Sequence, residues 1–453
     1  MAITNVSKPS NWSRAADTNQ FVYKFSSDKY TQPNFRYYIE LYMYDNSNTS
    51  VSLGTYLLHP SSDGTCEFNP SAIYQNYLSY DINLSATGLT ELFQTVKGFK
   101  VLCNDYYGQP PVKEGSGNYV ESPMMVAYNG AQQIIPYTYT PLTPSGNTTW
   151  VMNTGQTGRY LTDYTAFKVD DDALGFVYCL GNYTNGRPNK VRYTVYHYGY
   201  ANNGAYGTQP NEQKPQQTQA SPSSERTMDD PNPIQIINRD TIYSAVTYET
   251  TAVFSSNYTF GYYIPVGPNH VFKAGGSLTG YTTTWVYYDV DIMYNTTVLN
   301  KIPVRYIRTQ MDCKYEKWEL FWLNKHGGFD NFIFDKKNEL NYKVDRITYK
   351  QKLPPNYSPY SAGEKVLNIE SQEQITLRTR LLTQQEVMMI TDLTQSPVVY
   401  SAIRYLYNGT ISLYGSPYIV MDNTIKYEQK VNDKEVYMEI TLRPANERII
   451  QRN

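Results

Sequence analysis

Histidine and cysteine are scarce in this chain, four of each in 453 residues. His59, His197, His270 and His326 fall at no metal-ligand spacing, and no HExxH is present. Cys66, Cys103, Cys179 and Cys313 lie far apart without a CxxC pair, which argues against a zinc site and a dense disulfide framework. The expectation is four reduced thiols packed as small apolar residues in a protein folded in a reducing cytoplasm. Charge is also low, at 18% of residues against about 25% in an average globular protein. With a formal net charge of -2 and no Lys/Arg cluster longer than a pair, the basic stripe of a nucleic-acid binder is missing, so no nucleic-acid partner is expected. No run of 18 apolar residues exists, which predicts no membrane-spanning helix. Met1 to Arg14 is polar and reads as no secretory signal. Walker A, GxSxG and GxGxxG in a βαβ frame are all lacking, so no cofactor and no enzymatic activity are expected.

Tyrosine is what the chain has in quantity: 47 residues, against 15 Phe and 5 Trp. Its apolar ring and polar hydroxyl suit a half-buried pleated surface. The period of the apolar residues agrees. In Phe35 to Tyr44, Phe35, Tyr37, Ile39, Leu41 and Met43 share one face, the alternation of a strand. Similar segments are Phe21 to Phe25, Phe99 to Asn104, Ile134 to Thr140, Lys190 to Tyr200, Tyr243 to Phe254, Thr283 to Met293, Val304 to Arg308, Lys314 to Leu323, Phe332 to Phe334, Tyr342 to Gln351, Gln374 to Leu382 and Glu435 to Leu442. Two short helices are predicted. One follows Asn69-Pro70, with Asn as cap and Pro in the first turn. The other covers 384–393, opened by the capping box Thr383-x-x-Glu386, with Val387, Ile390 and Leu393 toward one side. Tyr106 to Gly117 reads as a loop, and Asn408-Gly409 as a hairpin turn.

The fold class expected is therefore all-β: two or more β-sandwich or barrel-like domains with a few short helices. At 453 residues the chain exceeds what one core usually serves. The stretch 201–233, rich in Asn, Gly, Gln, Ser and Pro, reads as a linker or long loop. It would divide a domain over 1–200, long enough for two subdomains, from one over 234–453 carrying the 384–393 helix.

Candidate chemistry is sparse. Asp170-Asp171-Asp172 lacks the alternating ligands, glycine and terminal Glu of a calcium loop and reads as a solvated turn. Asp289 and Asp291 share a strand face and could form a glycosidase pair, but chance explains such pairs far more often. His326, in Asn324-Lys-His-Gly-Gly328, reads as a polar turn residue without a partner. The candidate interaction residues are the Tyr clusters Tyr357, Tyr360 and Tyr196, Tyr198, Tyr200, which would stack on a glycan or line a subunit interface; ordinary sheet surface is the commoner explanation.

One segment is distinctive. Cys313 to Phe334 runs from a Tyr/Trp-rich strand ending in Trp322-Leu-Asn324 through Gly327-Gly328 to Phe329, Phe332 and Phe334. It resembles a segment of tailed-bacteriophage virion structural proteins, of tail or baseplate type, as found in phages of Bacteroidota. Leu382-Thr-Gln-Gln-Glu386, Ser396-Pro397-Val-Val-Tyr400, Asn34-Phe-Arg-Tyr37 and Phe68-Asn-Pro-Ser71 resemble the same group. The resemblance implies a place in a virion, in the tail, the baseplate or a fibre attachment, with copies of this chain and other virion proteins as partners. It transfers no catalytic residue. The alternatives are a head fibre or decoration subunit, a module that binds host surface glycan, and, least favoured, a glycan hydrolase using Asp289 and Asp291.

Overall fold

A computed structural model describes residues 3–9, 12–16, 21–44, 49–86, 88–115, 119–130, 151–152, 154–181, 188–197, 244–251, 260–273, 285–309, 311, 314–407, 410–421, 427–429 and 436–446. The chain is all-β. Among the described residues, helix is confined to α1 (Ser71–Tyr77), α2 (Gln384–Gln395) and a π-helical turn at Asn269–Lys273. The strands fall into two compact units: 1–309 with 324–330, and 310–323 with 331–453. This differs from the division expected at 201–233. That stretch lies outside the described residues, but the strands flanking it, Lys190–His197 and Ser244–Thr251, pair antiparallel along their whole length within the first unit.

The first unit carries four sheets among its described residues. Arg36–Tyr44 and Val96–Gly108 form the centre of the seven-stranded one. The alternation read from the sequence decides which side is buried: Tyr37, Ile39 and Leu41 are fully inaccessible, while Tyr38, Glu40 and Tyr42 are only partly covered. The buried face joins Phe21, Phe25, Phe99 and Tyr74 of α1 in one core. α1 begins differently from expectation. Pro70 occupies the cap position, and Asn69 Oδ1 accepts from the Ser71 N–H, two residues on, an Asx turn instead of an Asn cap. The segment 106–117, expected to be a loop, continues the central strand to Gly108 and returns as Pro111–Lys113. Only the two residues between them turn.

The six-stranded sheet shows where the tyrosines go. Tyr288 is fully buried, stacked on Tyr306 with ring centroids 5.3 Å apart, and its hydroxyl donates to the Val266 carbonyl at 2.6 Å. Tyr160 does the same toward Val290 O at 2.7 Å. A buried phenol with a backbone acceptor keeps its apolar area without stranding a polar atom. Cys66, Cys103 and Cys179 are free and buried. Burial pushes the Cys66 thiol up to about 11 and Cys179 up to about 12, far from the thiolate range of a reactive cysteine. Cys313 lies outside the described residues.

The second unit is built on one eight-stranded sheet. Its helix α2 opens with the expected capping box: Thr383 Oγ1 accepts from the Glu386 N–H, and Glu386 Oε2 accepts from the Thr383 N–H at 2.9 Å. Ile390 and Leu393 are buried as read; Met389 is the third buried residue, while Val387 is only partly covered. The sheet ends in a hairpin, Glu339–Lys350 against Glu364–Arg378, which bears on function.

Candidate interaction surface

The two hairpin strands pair antiparallel from Glu339↔Thr376 to Lys350↔Glu364. Only residues 375–378 of the second strand also pair with the rest of the sheet, against 439–442. Beyond that base, residues 340–350 and 364–374 have only each other as ladder partners among the described residues. The result is a two-stranded arm about 35 Å long, at roughly 3.3 Å per residue. Its base is fixed: Ile375 and Leu377 are buried, and Arg378 Nη1 donates to Glu339 Oε1 at 2.9 Å while Nη2 reaches Glu439.

The arm is exposed on both faces and at both edges. Leu340, Tyr342 and Val344 follow one another on one face, where residues alternate, and are 52%, 50% and 37% exposed. Ile347 and Tyr349 lie on the opposite face, 56% and 43% exposed. Val366 and Leu367 add to this from the second strand, around a register shift. An isolated two-stranded ribbon is marginal in water, and clustered exposed apolar side chains mark a surface that another molecule covers. At the tip, Tyr360 is 98% and Tyr357 58% exposed. They sit in a turn held by the Ser361 N–H donating to Ser358 O and the Tyr360 N–H donating to Ser358 Oγ.

Of the other expected interaction tyrosines, Tyr196 belongs to the first unit. Tyr196 stacks on Tyr287 of the adjacent strand, centroids 4.3 Å apart, as an ordinary cross-strand sheet pair. Tyr198 and Tyr200 lie outside the described residues.

The candidate catalytic carboxylates are engaged in sheet ion pairs. Asp289 receives two hydrogen bonds from Arg305 on the neighbouring strand, at 2.6 and 2.8 Å, and the same guanidinium lies 4.4 Å from the Tyr287 ring. Asp291 accepts from Arg192 at 2.7 Å and from Asn300 at 3.0 Å. Asp171 accepts from Arg308 and from the Trp285 indole, so the Asp170–Asp172 turn is tied to the sheet and is not a solvated loop. Among the described residues no three His, Cys, Asp or Glu side chains gather as a metal ion would require.

His326 also has a partner, contrary to expectation. Its ring is buried, and Nε2 is 2.8 Å from Asp163 Oδ1. The turn around it is wired by Asn324, whose Oδ1 accepts from the His326 and Gly328 N–H groups while Nδ2 donates to Leu161 O and Asp330 Oδ2. Burial lowers the His326 pKa despite the opposing pull of Asp163. The hydrogen bonds and charges of His326 and Lys325 outweigh burial at Asp163 and hold its carboxyl below the ordinary range. Both shifts act in one direction. A histidine whose folded pKa is depressed gives its full stabilisation above its unfolded pKa, about 6.5, and loses it as pH falls toward the folded value. Asp163 adds a second loss once pH falls below about 4. The first unit should therefore melt at progressively lower temperature as pH falls from 7 to 5. His326→Gln should flatten that slope, which a thermal melt at half-unit pH steps will read.

No family model matches the sequence, and no curated protein matches it. Among solved structures, the chain is similar to one from the virion of a native gene transfer agent (GTA) particle. The match covers 28% of this chain and 91% of that one, at 12% identity and a TM-score of 0.19. That score is below what a shared fold gives.

Proposed function

We propose that this chain is a structural subunit of a tailed-bacteriophage virion, placed in the tail or baseplate or at a fibre attachment, and that it works by contact with copies of itself and with other virion proteins. The observation that carries this reading is the arm: about 35 Å of two-stranded ribbon with apolar side chains exposed on both faces and no ladder partner beyond its base among the described residues. A chain that assembles has a use for such a surface, because a neighbour completes the ladder and covers the apolar residues. The resemblance of the 313–334 segment to phage virion proteins supports the setting. The engagement of Asp289 and Asp291 with arginines supports a role without catalysis.

Gold-labelled antibody against the chain, applied to particles of the phage that encodes it, should decorate the tail. Decoration of the head would move the chain to the head-fibre or decoration alternative, and undecorated particles probed under denaturing conditions without signal would remove the virion role.

A second reading has its own observation. At the arm tip Tyr360 is almost fully exposed and Tyr357 more than half exposed, and two exposed rings in one turn suit stacking on a sugar. Host surface glycan is then a partner through the tip. Binding on a glycan array that disappears in Tyr357→Ala/Tyr360→Ala, with self-association unchanged, would establish it.

A further inference from the structure

The arm's two edges carry opposite charge. Along residues 340–350 stand Lys343, Arg346 and Lys350 against Asp345, a net of +2; along residues 364–374 stand Glu364, Glu370 and Glu373 against Lys365, a net of -2. Each edge presents a row of backbone donors and acceptors that no other described strand takes up, and an open edge is a template for another strand. Edge charges that repel like edges and attract unlike ones decide which strand is accepted.

We propose that the arm binds a second copy of this chain edge to edge, the basic 340–350 strand of one copy adding to the acidic 364–374 strand of the next. The contact is heterologous. A twofold arrangement would place an edge against itself, basic on basic or acidic on acidic. The head-to-tail arrangement places +2 against -2 and leaves each copy one edge to offer onward, so it propagates around a ring. Strand direction fits as well. Arms pointing the same way bring an outgoing strand of one copy beside a returning strand of its neighbour, so every pairing in the joined sheet is antiparallel, as within the arm itself. Closure would remove all free edges, as in an up-and-down barrel. The faces differ only in degree: Leu340, Tyr342, Val344, Ile369 and Ile375 fall on one side by register together with Arg346 and Glu373, and Ile347 stands among the polar residues of the other. The connecting loop, with Tyr357 and Tyr360, remains free at the rim.

The inference rests on the assembly role above, and the two fail separately: a chain missing from particles removes the virion role, whereas the test below concerns the purified full chain alone. Two variants are compared with the parent by mass photometry over a concentration series. Lys343→Glu/Arg346→Glu/Lys350→Glu makes both edges acidic, and Glu370→Lys/Glu373→Lys makes the second edge basic like the first. All five side chains lie outside the core, and circular dichroism of each variant should match the parent.

The parent should form assemblies larger than a dimer that weaken as salt is raised. Each variant alone should need at least about tenfold more protein to assemble. An equimolar mixture of the two should recover assembly, because acidic arms then meet basic ones. Recovery on mixing separates contact between copies from repulsion inside a single arm, which mixing leaves in place. A parent that stays monomeric throughout, a dimer that strengthens with salt, variants that assemble like the parent, or a mixture that does not recover would each overturn the proposal.

Discussion

Gly327→Ala is expected to cost the first unit at least about 4 kcal/mol, near the upper end of what one substitution does. Gly327 has φ of +84°, and a Cβ placed on it would sit 1.7 Å from the Asn129 carbonyl oxygen. Backbone is what it meets, so no side-chain rotation relieves the clash. Moving the turn away would break the four hydrogen bonds through which Asn324 fixes it and would displace His326 from Asp163. The left-handed conformation adds its own cost for a residue with a Cβ. Gly88→Ala is the control: nothing lies within 4 Å of its Cβ position, and a change within about 0.5 kcal/mol is expected. Urea unfolding of both variants reads the difference directly. A Gly327→Ala protein as stable as the parent would contradict the turn described here.

The second large effect concerns Asp289. Asp289→Ala should destabilise the first unit by about 3 kcal/mol, because it strands the Arg305 guanidinium in a partly buried site without its counter-charge. The Asp289 and Arg305 side chains are 11% and 14% exposed and share two hydrogen bonds, so water makes up little of the loss. Asp289→Asn keeps one acceptor oxygen and should cost about half as much. Replacing both residues, as Asp289→Leu/Arg305→Met, should cost less than Asp289→Ala, since no buried charge is then left unpaired. The same variants address hydrolysis. If the purified protein cleaved host polysaccharide, and Asp289→Asn abolished cleavage while keeping the parent's unfolding midpoint, the structural assignment of this carboxylate would be wrong.

Local rules account for what the sequence made legible. Tyr37, Ile39 and Leu41 alternate and are buried together; Val304–Arg308 is a strand with the bounds its residues suggest; Thr383 and Glu386 cap α2 reciprocally. Each depends on neighbours a few residues away. What was illegible depends on distant partners. Asp163 lies 163 residues from His326 in the chain, and Arg305 meets Asp289 only through strand register. The arm was half visible. Its first strand shows in Tyr342, Val344, Ile347 and Tyr349, but the second shows only from Gln374, because Glu364 to Glu373 is dominated by Glu, Gln, Asn and Ser, residues that are poor strand formers. Polar composition is what an exposed edge requires, so the property that hid the strand also fits its use. The sequence marks Tyr357 and Tyr360 as surface residues without showing that they crown a ribbon. The division near residue 309 was invisible for the same reason: compositional change marks 201–233, while the compact units follow from the pairing of Lys190–His197 with Ser244–Thr251 across it.

The measurement closest to the proposed virion role is quantitative mass spectrometry of purified particles of the phage proposed to encode this chain, with isotope-labelled peptides giving its copy number against the major capsid protein. A structural subunit predicts a fixed number of copies per particle, constant between preparations and matching a symmetric ring or set of fibres. A chain absent from the particles, or present at a ratio that varies from one preparation to the next, would contradict a structural role in the virion.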